Sequence, residues 1–286
     1  MQSFKTIAIA GGTGTLGYYV SEAFLSDGSY KVKILRKKPE TVNEKANLLV
    51  SKGAEIVYVD YNQKDDLVNA LKGTDVLVSI LSGFDTYNIQ SKMLTVAKEV
   101  DVKRFIPTEF GGEYKLGDHI CTDTKAKFRE DLKKSGLEYT FIYNGAFQEF
   151  LGWGGFDVKK KEATFFVDEN KIISTTSLSD IAKYTVESLK VPEARNGAIR
   201  VAGAALTLKE YLQKFEEATG SKWKVIEDKE VRYRYLNKID PVPSDADDFK
   251  VMALNHTSFE KLDNDKFSFT PRPVTETINE LISQAQ

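Results

Sequence analysis

The sequence predicts an α/β fold in which a parallel sheet, wound on both faces by helices, is followed by a smaller C-terminal α+β lobe. Three observations predict it. Short apolar runs alternate with helical patterns from residue 6 to about residue 143. The first of these runs ends in a glycine-rich turn, GGTGTLG. Beyond about residue 150 the alternation gives way to irregular sequence holding five of the seven prolines, Pro192, Pro241, Pro243, Pro271 and Pro273. Strands separated by helices require right-handed crossovers, which set consecutive strands parallel and cover both faces of the sheet.

The elements follow in order. TIAIA, residues 6–10, is a strand closed by glycine, and YYVSEAFLSDG after the loop has helical spacing. Then come the strand YKVKILR (30–36), a polar helix over 43–52, the strand EIVYVD (55–60) and a helix over 64–72. The strand DVLVSIL (75–81), a helix from about 88 to 100, the strand KRFIPTEF (103–110), a helix around 124–135 and the strand LEYTFIY (137–143) complete the alternation. In the second half, amphipathic helices are expected near 179–189, 208–219 and 274–283. No repeat or low-complexity linker separates the parts. Residues 1–150 and 151–286 are therefore expected as a larger and a smaller lobe packed as one unit, within what a chain of 286 residues supports.

Composition narrows the function classes. Forty basic residues nearly balance 42 acidic ones, for a formal charge of −2, so nothing attracts a nucleic acid or an acidic membrane. Cys121 is the only cysteine, which removes any internal disulfide framework and suits a reducing, cytoplasmic compartment. MQSFKTIAIAGG runs straight into strand pattern, so no secretory signal is expected, and no apolar run approaches the ~20 residues that span a bilayer. No metal site is expected, because neither His119 nor His256, the only histidines, has a second nitrogen or sulfur ligand close by in sequence.

The loop GGTGTLG sets Gly11, Gly14 and Gly17 at three-residue steps between a strand and a helix. Gly11 permits the tight turn, Gly14 lets the backbone approach a pyrophosphate, and Gly17 allows the helix to pack closely. Thr13, Thr15 and Leu16 line the same cradle, and the helix N-terminus offers unpaired N–H groups to the anion. This makes the sheet Rossmann-type and the ligand a dinucleotide. An NAD site would place an acidic residue at the end of the second strand, where this chain has Arg36, Lys37 and Lys38. A guanidinium there can pair bidentately with a 2′-phosphate that a carboxylate would repel, so the cofactor is expected to be NADP(H), held by Arg36 and Lys37. Asp60, at the end of the third strand, either caps the next helix or approaches the adenine.

Ligands of a parallel sheet bind beyond the carboxyl ends of its strands. By that rule Leu81, Ser82 and Gly83 pass the nicotinamide ribose, Thr108, Glu109 and Phe110 border cofactor or substrate, and Asn144, Gly145 and Phe147 follow the sixth strand. The aromatic, glycine-rich segment FQEFLGWGGF (147–156), with Phe150 and Trp153, reads equally as a wall around a flat apolar ligand or as ordinary packing. His119 is placed to polarise a carbonyl, or is simply an exposed loop residue. Reduction also needs a group that stabilises developing negative charge. No tyrosine here has a lysine four residues on, so the usual tyrosine–lysine pair of carbonyl-reducing short-chain dehydrogenases is absent.

KRFIPTEFGGEY (103–114) and TDTKAKFREDLKKSGLEYTFIYNGAF (122–147), together with the glycine loop, the basic end of the second strand and Gln90, resemble the NmrA-like, isoflavone-reductase-like branch of the atypical short-chain dehydrogenases. That branch includes phenylcoumaran benzylic ether and pinoresinol-lariciresinol reductases. The resemblance covers roughly the first half of the chain and, more loosely, TTSLSDIAKYTVESL (175–189). It implies that Lys125 is the catalytic group beside the nicotinamide, whereas Lys127, about 200° further round the helix, lies on another face. It implies an NADPH-dependent reductase of a small aromatic, quinone or enone-like substrate; monomer and homodimer both stay open, since one sequence shows no interface. The same family contains proteins that bind NADP(H) without turnover and report redox state to protein partners, which is the alternative. A nucleotide-sugar epimerase or dehydratase is disfavoured by the missing tyrosine–lysine pair.

Overall fold

The computed structural model describes residues 4–38, 43–83 and 85–285; the first three residues, on which the expectation of no leader segment partly rests, lie outside them. In chain order the first half contains β1 (Thr6–Ala10), α1 (Thr15–Asp27), β2 (Lys31–Arg36), α2 (Glu44–Ser51), β3 (Glu55–Tyr58), α3 (Lys64–Leu71), β4 (Val76–Ser79), α4 (Thr86–Glu99), β5 (Arg104–Ile106), α5 (Ile120–Lys134) and β6 (Glu138–Tyr143). The second half adds β7 (Ala146–Phe147), β8 (Phe156–Asp157), β9 (Glu162–Phe165), β10 (Ile172–Thr176), α6 (Leu178–Glu187), β11 (Gly197–Arg200), β12 (Ala204–Thr207), α7 (Leu208–Thr219), β13 (Lys224–Glu227), α8 (Val231–Asn237), α9 (Asp245–Asn255) and α10 (Val274–Ala285). Among the described residues no helix is long and apolar enough to cross a membrane.

The chain divides into two units. The first comprises residues 1–110, 120–142 and 181–199, and the second 111–119, 143–180 and 200–286. A seven-stranded sheet runs β11-β6-β5-β4-β1-β2-β3, with every pairing from β3 through β6 parallel. The order is that of a doubly wound Rossmann sheet, with the strand sequence reversing between β1 and β4. Its central strands are buried along most of their length, which is why they read as unbroken apolar runs. Helices α3, α4 and α5 pack side by side, and α1 lies against α2. Phe105 of β5 meets Phe128 of α5 edge-on at 5.5 Å, and both are fully buried.

Differences from the sequence expectation have local causes. The strand expected over 103–110 stops at Ile106, because Pro107 has no N–H for the ladder. The following helix begins at Ile120, earlier than expected. β11 joins the edge of the main sheet although GAIR carries almost no strand signal.

The second unit contains two three-stranded sheets, β12-β10-β7 and β13-β9-β8, each with one parallel and one antiparallel pairing. Its core gathers Phe156, Phe165, Tyr211, Phe215, Trp223 and Ile278, with Phe156 stacked on Phe215 at 4.9 Å. α7 has the expected bounds: a Thr207–Glu210 capping box starts it, and Gly220 at φ +62° stops it. α8 and α9 are additional to the three helices the periodicity indicates.

Candidate active site

The loop after β1 is built so that only glycine fits at its tightest points. Gly11 has φ +82°, and a Cβ there would lie 2.5 Å from the Ile80 carbonyl oxygen beyond β4. A Cβ on Gly17 would lie 2.0 Å from the Gly11 carbonyl oxygen, so the first turn of α1 sits directly on the loop that precedes it. The turn closes through the Gly14 N–H donating to the Gly11 carbonyl at 2.9 Å. Gly12, to which the sequence gives no role, is also required: a Cβ would meet Ser21 Oγ at 2.7 Å, and that hydroxyl donates to the Gly12 carbonyl. No side chain caps α1 and no acidic residue occupies its first turn, so the helix start keeps its affinity for an anion. A cradle that a Cβ would fill, leading into an uncapped helix, fits the diphosphate of a dinucleotide.

Arg36 is half-buried at the end of β2, while Lys37 and Lys38 are exposed beside it. Leu81 is half-buried, Ser82 and Gly83 are exposed, and Gly83 has φ +104°. These residues all belong to the carboxyl-end side of β2 and β4, as the sequence order requires.

The PTEFG turn after β5 is held by several elements of the first unit. From α4, Gln90 Oε1 accepts from the Thr108 N–H at 3.0 Å. Thr108 Oγ1 donates to the Leu81 carbonyl at 2.8 Å. From α5, Lys125 Nζ donates to the Glu109 carbonyl at 2.6 Å, and Arg129 Nη1 pairs with the Glu109 carboxylate at 2.8 Å. Glu109 is 1% exposed, so its carboxylate is turned to Arg129 rather than to solvent. Phe110 is buried with φ +26°. Burial pushes the Lys125 ammonium below the ordinary lysine range; the Glu109 carboxylate opposes that fall and the Arg129 guanidinium adds to it. Lys127 is exposed on another face of α5.

In the second unit, the Asn144 and Gly145 N–H groups both donate to the Gly111 carbonyl, at 3.1 and 3.2 Å. Gly145 has φ +68°, and a Cβ there would lie 2.1 Å from the Ser174 carbonyl oxygen. Asn144 is fully buried, and its Oδ1 has no hydrogen-bond partner among the described residues. Phe147 is half-buried with its ring 5.8 Å from that of Phe150; Phe150 and Trp153 are exposed, and Trp153 lies 6.1 Å from Phe249.

His119 is not an exposed loop residue. It is buried, its Nε2 lies 3.4 Å from Asp248 Oδ2, and its ring packs edge-on against Phe249 at 5.4 Å. Arg232 approaches the same carboxylate at 3.4 Å and donates to the Asp118 carbonyl at 2.8 Å. Asp248 and Arg232 lie on α9 and α8, the helices that periodicity did not indicate. Arg129 carried a usable signal, since it follows Lys125 by one helical turn and so shares its face.

A sequence model of the NmrA-like family matches residues 3–281. Pinoresinol reductase 2 of Arabidopsis thaliana is 31% identical over 234 residues, spanning 74% of each chain. Eugenol synthase 2 of Clarkia breweri is 27% identical over 95% of this chain and 92% of its own. Among solved structures, AtPrR2 with NADP+ and (+)-pinoresinol is similar with a TM-score of 0.82 at 22% identity, covering 98% of this chain and all of that one. The leucoanthocyanidin reductase–NADPH complex from Vitis vinifera gives 0.80 at 21% identity over 97% and 99%. Those structures share the fold. Because the family match runs through the glycine loop, the PTEFG turn and the second unit alike, the chain belongs to the NmrA-like family.

Proposed function

We propose that this protein is an NADPH-dependent reductase that delivers a hydride to a small aromatic, quinone or enone-like substrate, with Lys125 as its catalytic group. The observation that carries the reading is a lysine of lowered proton affinity, anchored 2.6 Å from a backbone carbonyl in the same unit as a cradle for a dinucleotide.

The glycine loop and the first N–H groups of α1 bind the diphosphate, and Arg36 with Lys37 takes the 2′-phosphate. Leu81, Ser82 and Gly83 would flank the nicotinamide ribose. NADPH, when bound, supplies the hydride. Lys125 donates a hydrogen bond to the oxygen on which negative charge develops in the substrate, and its lowered proton affinity makes it a better proton donor than an ordinary lysine. Phe150 and Trp153 of the second unit are exposed aromatic residues of a kind that suits a planar substrate.

Relatives named for pinoresinol, leucoanthocyanidin and, in QOR2 from Escherichia coli, quinone support an aromatic or quinone substrate class. The test follows NADPH absorbance with a panel of quinones, enones and phenolic ethers, for wild type and Lys125→Ala. Turnover of one class by wild type alone supports the reading. Equal turnover by both proteins, or none with any compound while NADPH binds, overturns it.

A further inference from the structure

Lys125 and Arg129 leave the same face of α5 one turn apart and reach the same residue, the first to its backbone carbonyl and the second to its carboxylate. A buried ion pair contributes little to stability compared with apolar packing of the same volume. A left-handed backbone at a bulky residue such as Phe110 costs energy as well. Both features surround a single turn, which Gln90 and Thr108 tie to α4 and to the loop after β4. Stability alone gives no reason for the arrangement. Its geometric consequence is that the Glu109 carbonyl has one position, and that position faces the Lys125 ammonium.

We infer that Glu109 and Arg129 are positioning residues for Lys125, with Arg129 fixing the Glu109 carboxylate so that the anchored turn presents its carbonyl to the ammonium. The inference rests on the reading of Lys125 as the catalytic group. The two side chains also act on Lys125 with opposite charge, the carboxylate favouring its protonated form and the guanidinium opposing it. Removing either charge therefore carries a sign.

Glu109→Gln keeps the shape and an acceptor for Arg129 while removing the negative charge; Arg129→Gln removes the positive one. The first readout needs neither cofactor nor substrate: the protein is reductively methylated with ¹³C-formaldehyde, and the Lys125 dimethylamino resonance, assigned by its absence in Lys125→Arg, is titrated by NMR. Lys125 is expected to titrate at lower pH in Glu109→Gln than in wild type, and at higher pH in Arg129→Gln. If one variant fails to fold, the other decides, since each predicts a signed change. The second readout is kinetic. Glu109→Ala, which leaves Arg129 no side chain to hold and so frees the turn, is expected to lower kcat about ten-fold or more, as loss of orientation does, with the NADPH Kd within about two-fold of wild type. Titration and kcat unmoved while the unfolding midpoints fall would mean that the pair only holds the fold, and the inference fails. Full turnover by Lys125→Ala defeats instead the reading on which the inference rests, and the two failures are thereby told apart.

Discussion

Replacing Gly17 by alanine puts the cofactor cradle under the most direct strain the structure offers. The new Cβ would lie 2.0 Å from the Gly11 carbonyl oxygen, 2.9 Å from its carbonyl carbon and 3.0 Å from Gly12 Cα, all backbone atoms that no rotamer change can move. Reaching the 3.4 Å of ordinary contact requires the first turn of α1 and the loop to separate by about 1.4 Å. Such a displacement breaks the alignment of at least two N–H groups with a diphosphate, and charge-assisted hydrogen bonds contribute about 1.5–3 kcal/mol each. Loss of ~3 kcal/mol weakens NADPH binding about 100-fold. The assay is isothermal titration calorimetry with NADPH, with thermal unfolding measured in parallel. Gly28→Ala is the control. Gly28 has positive φ, +74°, which Gly17 does not, but nothing lies within 4 Å of its Cβ position, so that variant loses about 1 kcal/mol of stability and binds NADPH normally. If Gly17→Ala binds NADPH within three-fold of wild type, the role given to the loop is refuted.

Arg36→Ala should weaken NADPH about ten-fold or more and leave NADH within about two-fold, measured by the same calorimetry, because only the 2′-phosphate contact is removed. Asp248→Ala leaves the buried His119 and the Arg232 guanidinium without their carboxylate, and should lower stability to urea by about 1–3 kcal/mol. Lys125 carries a pH signature of its own. Its folded-state proton affinity is lowered, so the unfolded chain holds that proton to higher pH, and the stability of wild type relative to Lys125→Met should rise as pH climbs toward the ordinary lysine value. Unfolding midpoints of the two proteins across that range check the sign.

The first half of the fold was legible because its central strands β1, β4 and β5 are short apolar runs buried along most of their length, and each strand ends in glycine, proline or a polar turn. β1 has the bounds its sequence suggests, and in the second half α7 announces itself by a capping box and a terminal glycine. α8 was hidden because Val231 is its only buried residue, which leaves no apolar period to read. α9 does carry a readable start, the Ser244–Asp247 capping box, but its apolar residues cluster at one end instead of recurring along a stripe. β11 was invisible because its four residues become a strand only through pairing with β6, far back in the chain.

The site divides the same way. Gly11, Gly14 and Gly17 follow from local sterics, and Arg36 from strand order and charge. Lys125 needed the family resemblance, since a lysine in a Lys- and Arg-rich helix looks like any solvated cation. The contact that fixes it is with a backbone carbonyl, a group every residue possesses, so no residue type betrays it. His119 finds Asp248 across most of the second unit's sequence, through helices that periodicity could not show.

The central claim, that a hydride passes from NADPH to a substrate under the influence of Lys125, is tested most directly by isotope transfer. NADPH deuterated at C4, each face in turn, is incubated with wild type or Lys125→Ala and the panel of quinones, enones and phenolic ethers, and the NADP+ formed is analysed by mass spectrometry, because deuterium delivered to a quinone ends on an exchangeable hydroxyl. The account predicts NADP+ that has lost its deuterium from one of the two labelled faces and kept it from the other, with wild type only. NADP+ formed equally well by Lys125→Ala, or none formed with any compound while NADPH remains tightly bound, would contradict it.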